Sequence, residues 1–384
     1  MLERPISKAC WTRVRFDQIA TQINDRVDNP AEAGVERYVG LEHLDPDSLR
    51  IRRWGEPTDV ESTKLRFQPG DIIFGKRRVY QRKVAVADFE GICSAHAMVL
   101  RAKPGAVLFE FLPFFMQSDL FMERALSISV GSLSPTINWK ALAAEEFLLP
   151  PIQQQARLVE TLTAVQATTD ELKRLVAAGE VLIEAALADA FRKGSKPRPL
   201  ADWCHNLITY GIVQAGPDIP AGTPYIRVSD MTDVEQLSLE GMLRTSPEIA
   251  HKYRRSMVRA GDLVIALRGP VGLTHIVPPC LDGANLTQGT ARISVSEENS
   301  TEYVQWALRS PLVKHEYSSR AKGSTFAEIS LEALRKLPIP VASIDEQHAI
   351  SKRLTTISSA ATSARARLLD AQRIMSRIIS QVAE

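Results

Sequence analysis

At 384 residues, 45% hydrophobic and 24% charged, the chain has the length for two or three domains and the composition of an ordinary soluble globular protein. No apolar run reaches the ~18–20 residues a membrane span requires. The opening MLERPISKACW lacks the apolar core of a signal peptide, so a cytoplasmic protein with no membrane partner is expected. A net charge of +2 excludes coating of nucleic acid by bulk charge and confines any such binding to local patches.

In chain order, residues 1–150 form a first globular part. Trp11–Ala20 reads as a short strand or turn feeding a helix, and Tyr38–Leu41 as a strand entering the turn-rich Asp45-Pro-Asp-Ser48. A basic cluster with an aromatic follows at Arg50, Arg52, Arg53 and Trp54. Gly70-Asp71 turns into the strand Ile72–Phe74. The next segment holds Lys76, Arg77, Arg78, Tyr80, Arg82 and Lys83. It is either a solvated strand or a contact to nucleic-acid phosphate and groove, because Arg and Lys supply salt-dependent backbone affinity and Arg pairs with guanine edges. Ala87–Leu100 reads as two strands, Leu108–Ala125 as one helix, Gly131–Pro135 as a polar loop, Ile137–Ala144 as a short helix, and Phe147–Leu149 as a strand stopped by Pro150-Pro151.

Residues 151–193 carry a helix of about forty residues, roughly 60 Å long. It has no Pro, one Gly, and an apolar stripe at Leu158, Leu162, Val165, Leu172, Val176 and Ile183. So long a stripe needs a partner of equal length. Residues 344–384 supply it, free of Gly and Pro, with Ile350, Leu354, Ile357, Leu368, Ile374 and Ile378 and alanines between them on one face. Residues 194–343 form a second globular part behind the Gly/Pro/basic linker Arg192–Pro199. This part contains the strand Tyr225–Val228, a basic stretch with Arg254 and Arg255, the strand Gly261–Leu267 followed by Arg268, and the run Ala284–Ile293, which alternates like a half-exposed strand. A helix at Val304–Val313 and a final strand at Leu337–Val341 complete it. Arg268 and the side chains Asn285, Thr287, Gln288 and Thr290 are donors and acceptors of base-reading type.

The second part repeats the first. Ile152-Gln-Gln-Gln155 and Ile344-Asp-Glu-Gln347 start the helices 192 residues apart. Gly70-Asp71 matches Gly261-Asp262 at 191, Gly131-Ser132 matches Gly323-Ser324 at 192, and Tyr38-Val39 matches Tyr225-Ile226 at 187. A period this long means two copies of a domain and not a stacked array. Ser132 and Ser324 of the Gly-Ser turns join the candidate contacts.

Signals for chemistry are weak. Gly70–Arg77 comes close to a phosphate-binding loop, but Arg77 stands where the Mg²⁺-binding hydroxyl is required and strand residues fill the loop positions. There is no Gly-rich cofactor loop and no His-Glu-x-x-His. His205, His275 and His315 are scattered, and Cys10, Cys93, Cys204 and Cys280 make no Cys-x-x-Cys pair, so neither catalysis nor metal binding is expected.

The duplicated order of Gly-Asp strand, Gly-Ser turn, Pro-containing strand and Gln-bearing long helix resembles the specificity subunit of type I DNA restriction–modification systems. LPPIQQQARLV at Leu149–Val159 and IPVASIDEQHAI at Ile339–Ile350 are similar to that family's two conserved regions. One departure is Ala342-Ser343 where the first copy has Pro150-Pro151. The resemblance implies an α+β fold, with two similar mixed α/β target-recognition domains separated by an antiparallel pair of long helices, a coiled coil. It implies a non-enzymatic chain that binds double-stranded DNA at a bipartite, asymmetric target and docks two DNA methyltransferase subunits and a restriction or translocase subunit. No cofactor is expected in this chain, S-adenosylmethionine belonging to the partner methyltransferase. A coiled-coil scaffold with protein-binding domains, and a methyltransferase or nuclease with an unrecognised site, stay open as alternatives.

Overall fold

The computed structural model describes residues 8, 10–192, 196–232, 236–320 and 328–382. Two compact units emerge: Met1–Leu172 with Arg367–Glu384, and Lys173–Ala366. Each is mixed α/β and each contains a stretch of both long helices.

The heart of unit 1 is a four-stranded antiparallel sheet in the order Ala20–Ile23, Met98–Ala102, Ile72–Phe74, Val84–Val86. Successive side chains of a strand point to opposite faces, and here both faces are covered. Ile72, Phe74 and Leu100 pack into one core with Phe16, Phe111, Phe115, Phe121 and Phe147. Ile73, Ala85 and Val99 pack into a second core with Val39, Leu65, Phe67 and Cys93. This explains an apolar run without alternation at Ile72–Phe74. A second sheet, Arg26–Val27, Lys64–Phe67, Gly91–Ser94, Tyr38–Val39, lies over the second core, its last pair parallel.

Unit 2 repeats the plan. Its sheet runs Thr209–Tyr210, Thr290–Ile293, Leu263–Ala266, Thr274–Ile276. Leu263 and Ile265 face one core with Trp203 and Tyr303, while Val264 and Ala266 face the other with Ile226 and Leu286. The parallel pair returns as Tyr225–Ile226 on Asn285–Leu286. In both units the glycine before the Gly-Asp strand, Gly70 or Gly261, has φ +89°, a conformation glycine adopts at little steric cost.

Several sequence expectations change. The helix expected over Leu108–Ala125 is two, Phe111–Met116 and Asp119–Ser127. Ser118 interrupts it with extended backbone, and its Oγ accepts the Phe121 N–H at 3.2 Å. The helix expected over Val304–Val313 is likewise Thr301–Arg309 and Pro311–Arg320, broken at Ser310 because the residue before a proline is pushed out of the helical region. Ala284–Ile293 is not one half-exposed strand. Asn285–Leu286 and Thr290–Ile293 are separate, mostly buried strands serving different sheets.

The long helices span Ile152–Ala190 and Ile344–Val382. In unit 1, Leu158 and Leu162 share a core with Ile378, Ile379 and Val382, against which Val165 is partly buried. In unit 2, Leu187 and Leu354 are buried together, with Ile183 and Ile350 packed alongside. Within unit 2 the helices are antiparallel: Asp189 meets Arg353 at 3.3 Å, and Glu180 pairs with Arg365. Leu172, Val176, Ile357 and Leu368 are half-buried. Ile374 is 41% exposed and does not lie in the seam. Its neighbours Ala371 and Ile378 are buried and Met375 packs on the core, so the stripe passes one residue beyond it.

The first turn of each long helix is fixed by a buried glutamine. Gln155 Oε1 accepts the Leu108 N–H at 2.9 Å and its Nε2 donates to the Pro150 carbonyl at 2.9 Å. Gln347 Oε1 accepts the Ser300 N–H at 2.8 Å and its Nε2 donates to the Ala342 carbonyl at 2.9 Å. The glutamine and both its partners repeat at the 192-residue offset.

Candidate nucleic-acid interface

In unit 1 the basic segment is neither a strand nor uniformly free. It is a loop, Gly75–Lys83, joining the antiparallel strands Ile72–Phe74 and Val84–Val86 and containing one 3-10 turn, Val79–Gln81. Two of its arginines, Arg78 (φ 59°) and Arg82 (φ 52°), adopt left-handed backbone, which costs a non-glycine residue roughly 1–2 kcal/mol.

The six candidates in this loop divide into two groups. Arg82 and Lys83 are occupied by the fold. Arg82 donates to Asp47 Oδ1 at 2.7 Å and to the Gln117 carbonyl at 2.5 Å, and pairs with Asp119 at 2.9 Å. Lys83 Nζ donates to the Leu41 carbonyl at 2.6 Å. These bonds hold the loop's C-terminal limb. Lys76, Arg77, Arg78 and Tyr80 form the other group. Arg77 and Arg78 donate from Nε to one acceptor, Ser134 Oγ, at 2.9 and 3.2 Å, and Arg77 Nη1 lies 3.0 Å from His96 Nε2. Lys76 is half-buried, and burial lowers its pKa. Tyr80 is 57% exposed. Among the described residues no carboxylate pairs with Lys76, Arg77 or Arg78. The polar loop beside them leaves Ser132 exposed, with Leu133 at 93%.

The loop is secured to this neighbour by backbone. Ile137 N–H donates to the Lys76 carbonyl at 3.0 Å, Arg78 N–H to the Pro135 carbonyl at 2.8 Å, and Arg77 pairs with Thr136 in an antiparallel bridge. Unit 2 has the same scaffold in the same register. Ile329 N–H donates to the Leu267 carbonyl at 3.0 Å, and Arg268 bridges Glu328. Arg268 and Glu328 thus stand where Arg77 and Thr136 stand, and there the cation carries a counter-ion: Arg268 Nε lies 3.1 Å from Glu328 Oε1.

Other sequence candidates separate by burial. Asn285 and Thr290 are fully buried and cannot meet a base edge. The Asn285 amide donates to the Tyr253 carbonyl at 3.3 Å, and the Thr290 hydroxyl to the Thr287 carbonyl at 3.2 Å. Thr287 and Gln288 are half-buried at the junction of the two sheets. Arg254 and Arg255 are exposed in a 3-10 turn after the helix Pro247–Lys252. Ser324 lies outside the described residues, as does the Gly323-Ser324 turn. In the exposed cluster Arg50, Arg52 and Arg53, two of the three arginines are tied to the long helix. Arg50 and Arg52 converge on the buried Asp170 at 3.2 and 2.8 Å, and Arg53 pairs with Asp45. Sequence reasoning missed His96, Ser134, Thr136 and Glu328. The last two were within reach, because they precede Ile137 and Ile329 of the repeat by one residue.

A family model described as the type I restriction modification DNA specificity domain matches residues 58–177 and 189–370. The type I restriction enzyme EcoBI specificity subunit of Escherichia coli is 27% identical over 247 residues, covering 56% of this chain and 52% of that protein. The EcoDI specificity subunit of Escherichia coli is 30% identical over 195 residues, covering 47% and 41%. The matched segment thus spans about half the length of these relatives. The crystal structure of a type I restriction–modification system S subunit from M. genitalium shares the fold, with a TM-score of 0.67 at 14% identity over 100% of this chain and 98% of that one.

Proposed function

The chain belongs to the type I restriction modification DNA specificity domain family, and on that premise we propose that it is the non-catalytic subunit that reads a bipartite double-stranded DNA target for partner methyltransferase and restriction subunits. The observation that carries this reading is the pair of equivalent loops, Gly75–Lys83 and Leu267–Leu273, presented on the same scaffold with different side chains. Two copies of one framework with diverged contact residues suit two unlike half-sites, hence an asymmetric target. S-adenosylmethionine belongs to the partner methyltransferase in this reading. Apolar side chains left exposed on the long helices, Leu175 (55%), Val181 (71%) and Leu182 (54%) in unit 2 and Leu369 (48%) in unit 1, favour docking of those subunits there.

The test is selection of duplexes from a random pool by the chain together with its methyltransferase, followed by sequencing. Enrichment of one split motif is expected. Failure to enrich any motif would overturn the DNA-reading role, and methylation by the chain alone with S-adenosylmethionine would overturn the non-catalytic one.

A further inference from the structure

The two equivalent loops differ electrostatically. In unit 1, two guanidiniums share Ser134 Oγ. That oxygen has two lone pairs, so both are used and the four Nη N–H groups of Arg78 are left without a partner among the described residues. His96 cannot compensate. Its pKa is lowered by burial and then by Arg77 and Lys76, so it adds a lone pair and no negative charge. Arg78 is also exposed and sits in left-handed backbone where a glycine would be unstrained. Strain of this kind concentrates at functional sites. In unit 2 the register-equivalent cation is already paired: Arg268 faces Glu328 where Arg77 faces Thr136.

We propose that Arg77 and Arg78, set by Ser134, form a phosphate-binding site for the DNA backbone, and that the equivalent position of unit 2 is self-neutralised, so that the two copies anchor DNA unequally. This rests on the DNA-reading role proposed above. Guanidiniums match phosphate oxygens in bidentate geometry, and each phosphate neutralised contributes about −0.9 to the slope of log K against log salt. Unit 1 then supplies about two such contacts at this position and unit 2 none.

The test exchanges the residue that faces the arginine in each copy, Thr136 or Glu328. Binding of the full chain, together with its methyltransferase, to a fluorescent duplex of arbitrary sequence is measured by anisotropy over a salt series. Thr136→Glu is expected to make the slope shallower by about 1, and Glu328→Thr to make it steeper by about 1. Arg77→Gln with Arg78→Gln should remove about 2, whereas Arg268→Gln should change nothing. Arg78→Gly, which relieves the left-handed strain and so folds at least as well, should still remove about 1. Binding by the wild-type chain with slopes unchanged in Thr136→Glu and Arg78→Gly overturns this inference and leaves the DNA-reading role standing. No binding of any duplex by the wild-type chain with its methyltransferase, the random pool included, overturns both.

Discussion

A guanidinium can only donate, and that fixes the state of its neighbour: with Arg77 Nη1 at 3.0 Å, His96 Nε2 must carry a lone pair and the ring is neutral. Burial first, and then Arg77, Lys76 and Lys64, hold the His96 pKa below its ordinary value. The sign follows from linkage. Below about pH 6.5 an unfolded histidine takes up a proton that the folded one resists. Stability therefore falls as pH drops through the window under 6.5, while above it His96 contributes no pH dependence. The denaturant midpoint should decline between pH 7 and pH 5, and His96→Gln should decline less. Equal declines would show that the ring does not titrate differently in the two states. At this scale the sequence was only partly legible. The cationic side chains are visible in the sequence, but composition cannot distinguish Arg78, whose Nη groups find no partner among the described residues, from Arg82, bound by two aspartates and a carbonyl. Nor does alternation separate an exposed threonine from Thr290, whose hydroxyl serves a carbonyl inside the protein.

Among the elements, the long helices were the most legible because their periodicity is local and long. Their ends were not, since what fixes each first turn is a side chain reaching a distant backbone. Gln155 is 1% exposed and Gln347 2%. Replacing either with Ala leaves an N–H and a carbonyl unpaired, one of them buried and the other half-buried, and a buried group left unpaired costs about 1–3 kcal/mol. Equilibrium unfolding in urea should show a loss of about 2–4 kcal/mol for Gln155→Ala and a comparable loss for Gln347→Ala. A loss under about 0.5 kcal/mol, the range of an ordinary surface change, would mean that water replaces the amide. The lone glycine of the first helix has a reason too. A Cβ on Gly179 would stand 3.0 Å from the Ala361 Cβ, tighter than ordinary van der Waals contact. Gly179→Leu should therefore lower the melting temperature although leucine is the better helix former by about 1 kcal/mol. A rise on calorimetry would show that the helices separate freely there. The breaks at Ser118 and Ser310 were illegible as breaks, because apolar residues continue across them and only the serine cap and the following proline mark the stop.

For the molecule as a whole, duplication was the strongest signal in the sequence, and the structure extends it to the order of the four-stranded sheet, paired cores, glutamine ties and the Arg77/Arg268 register. The limits of the two compact units were not legible. Periodicity marks a helix from end to end, whereas compactness depends on which cores its stripe enters. Leu158 and Leu162 enter one core, and Leu187 another. Unit 1 is closed by Arg367–Glu384, so shortening the chain after Ala366 should uncover Leu158 and Leu162 while leaving unit 2 its own residues. Limited proteolysis of that variant should degrade the N-terminal part and spare Lys173–Ala366. Equal resistance of both parts would show that the core of unit 1 stands without Ile378, Ile379 and Val382.

The interrupted path of unit 1 also bears on the order of events at the ribosome. Unit 2 is one uninterrupted stretch, while unit 1 begins first and awaits residues translated after all of unit 2. At about 5–20 residues per second, the 194 residues of Lys173–Ala366 take on the order of 10–40 s to emerge. Through that interval the apolar face around Leu158 and Leu162 has no Ile378 to meet. The half of the protein made earliest is thus the last to be finished, and its nascent form is the one with most need of a chaperone.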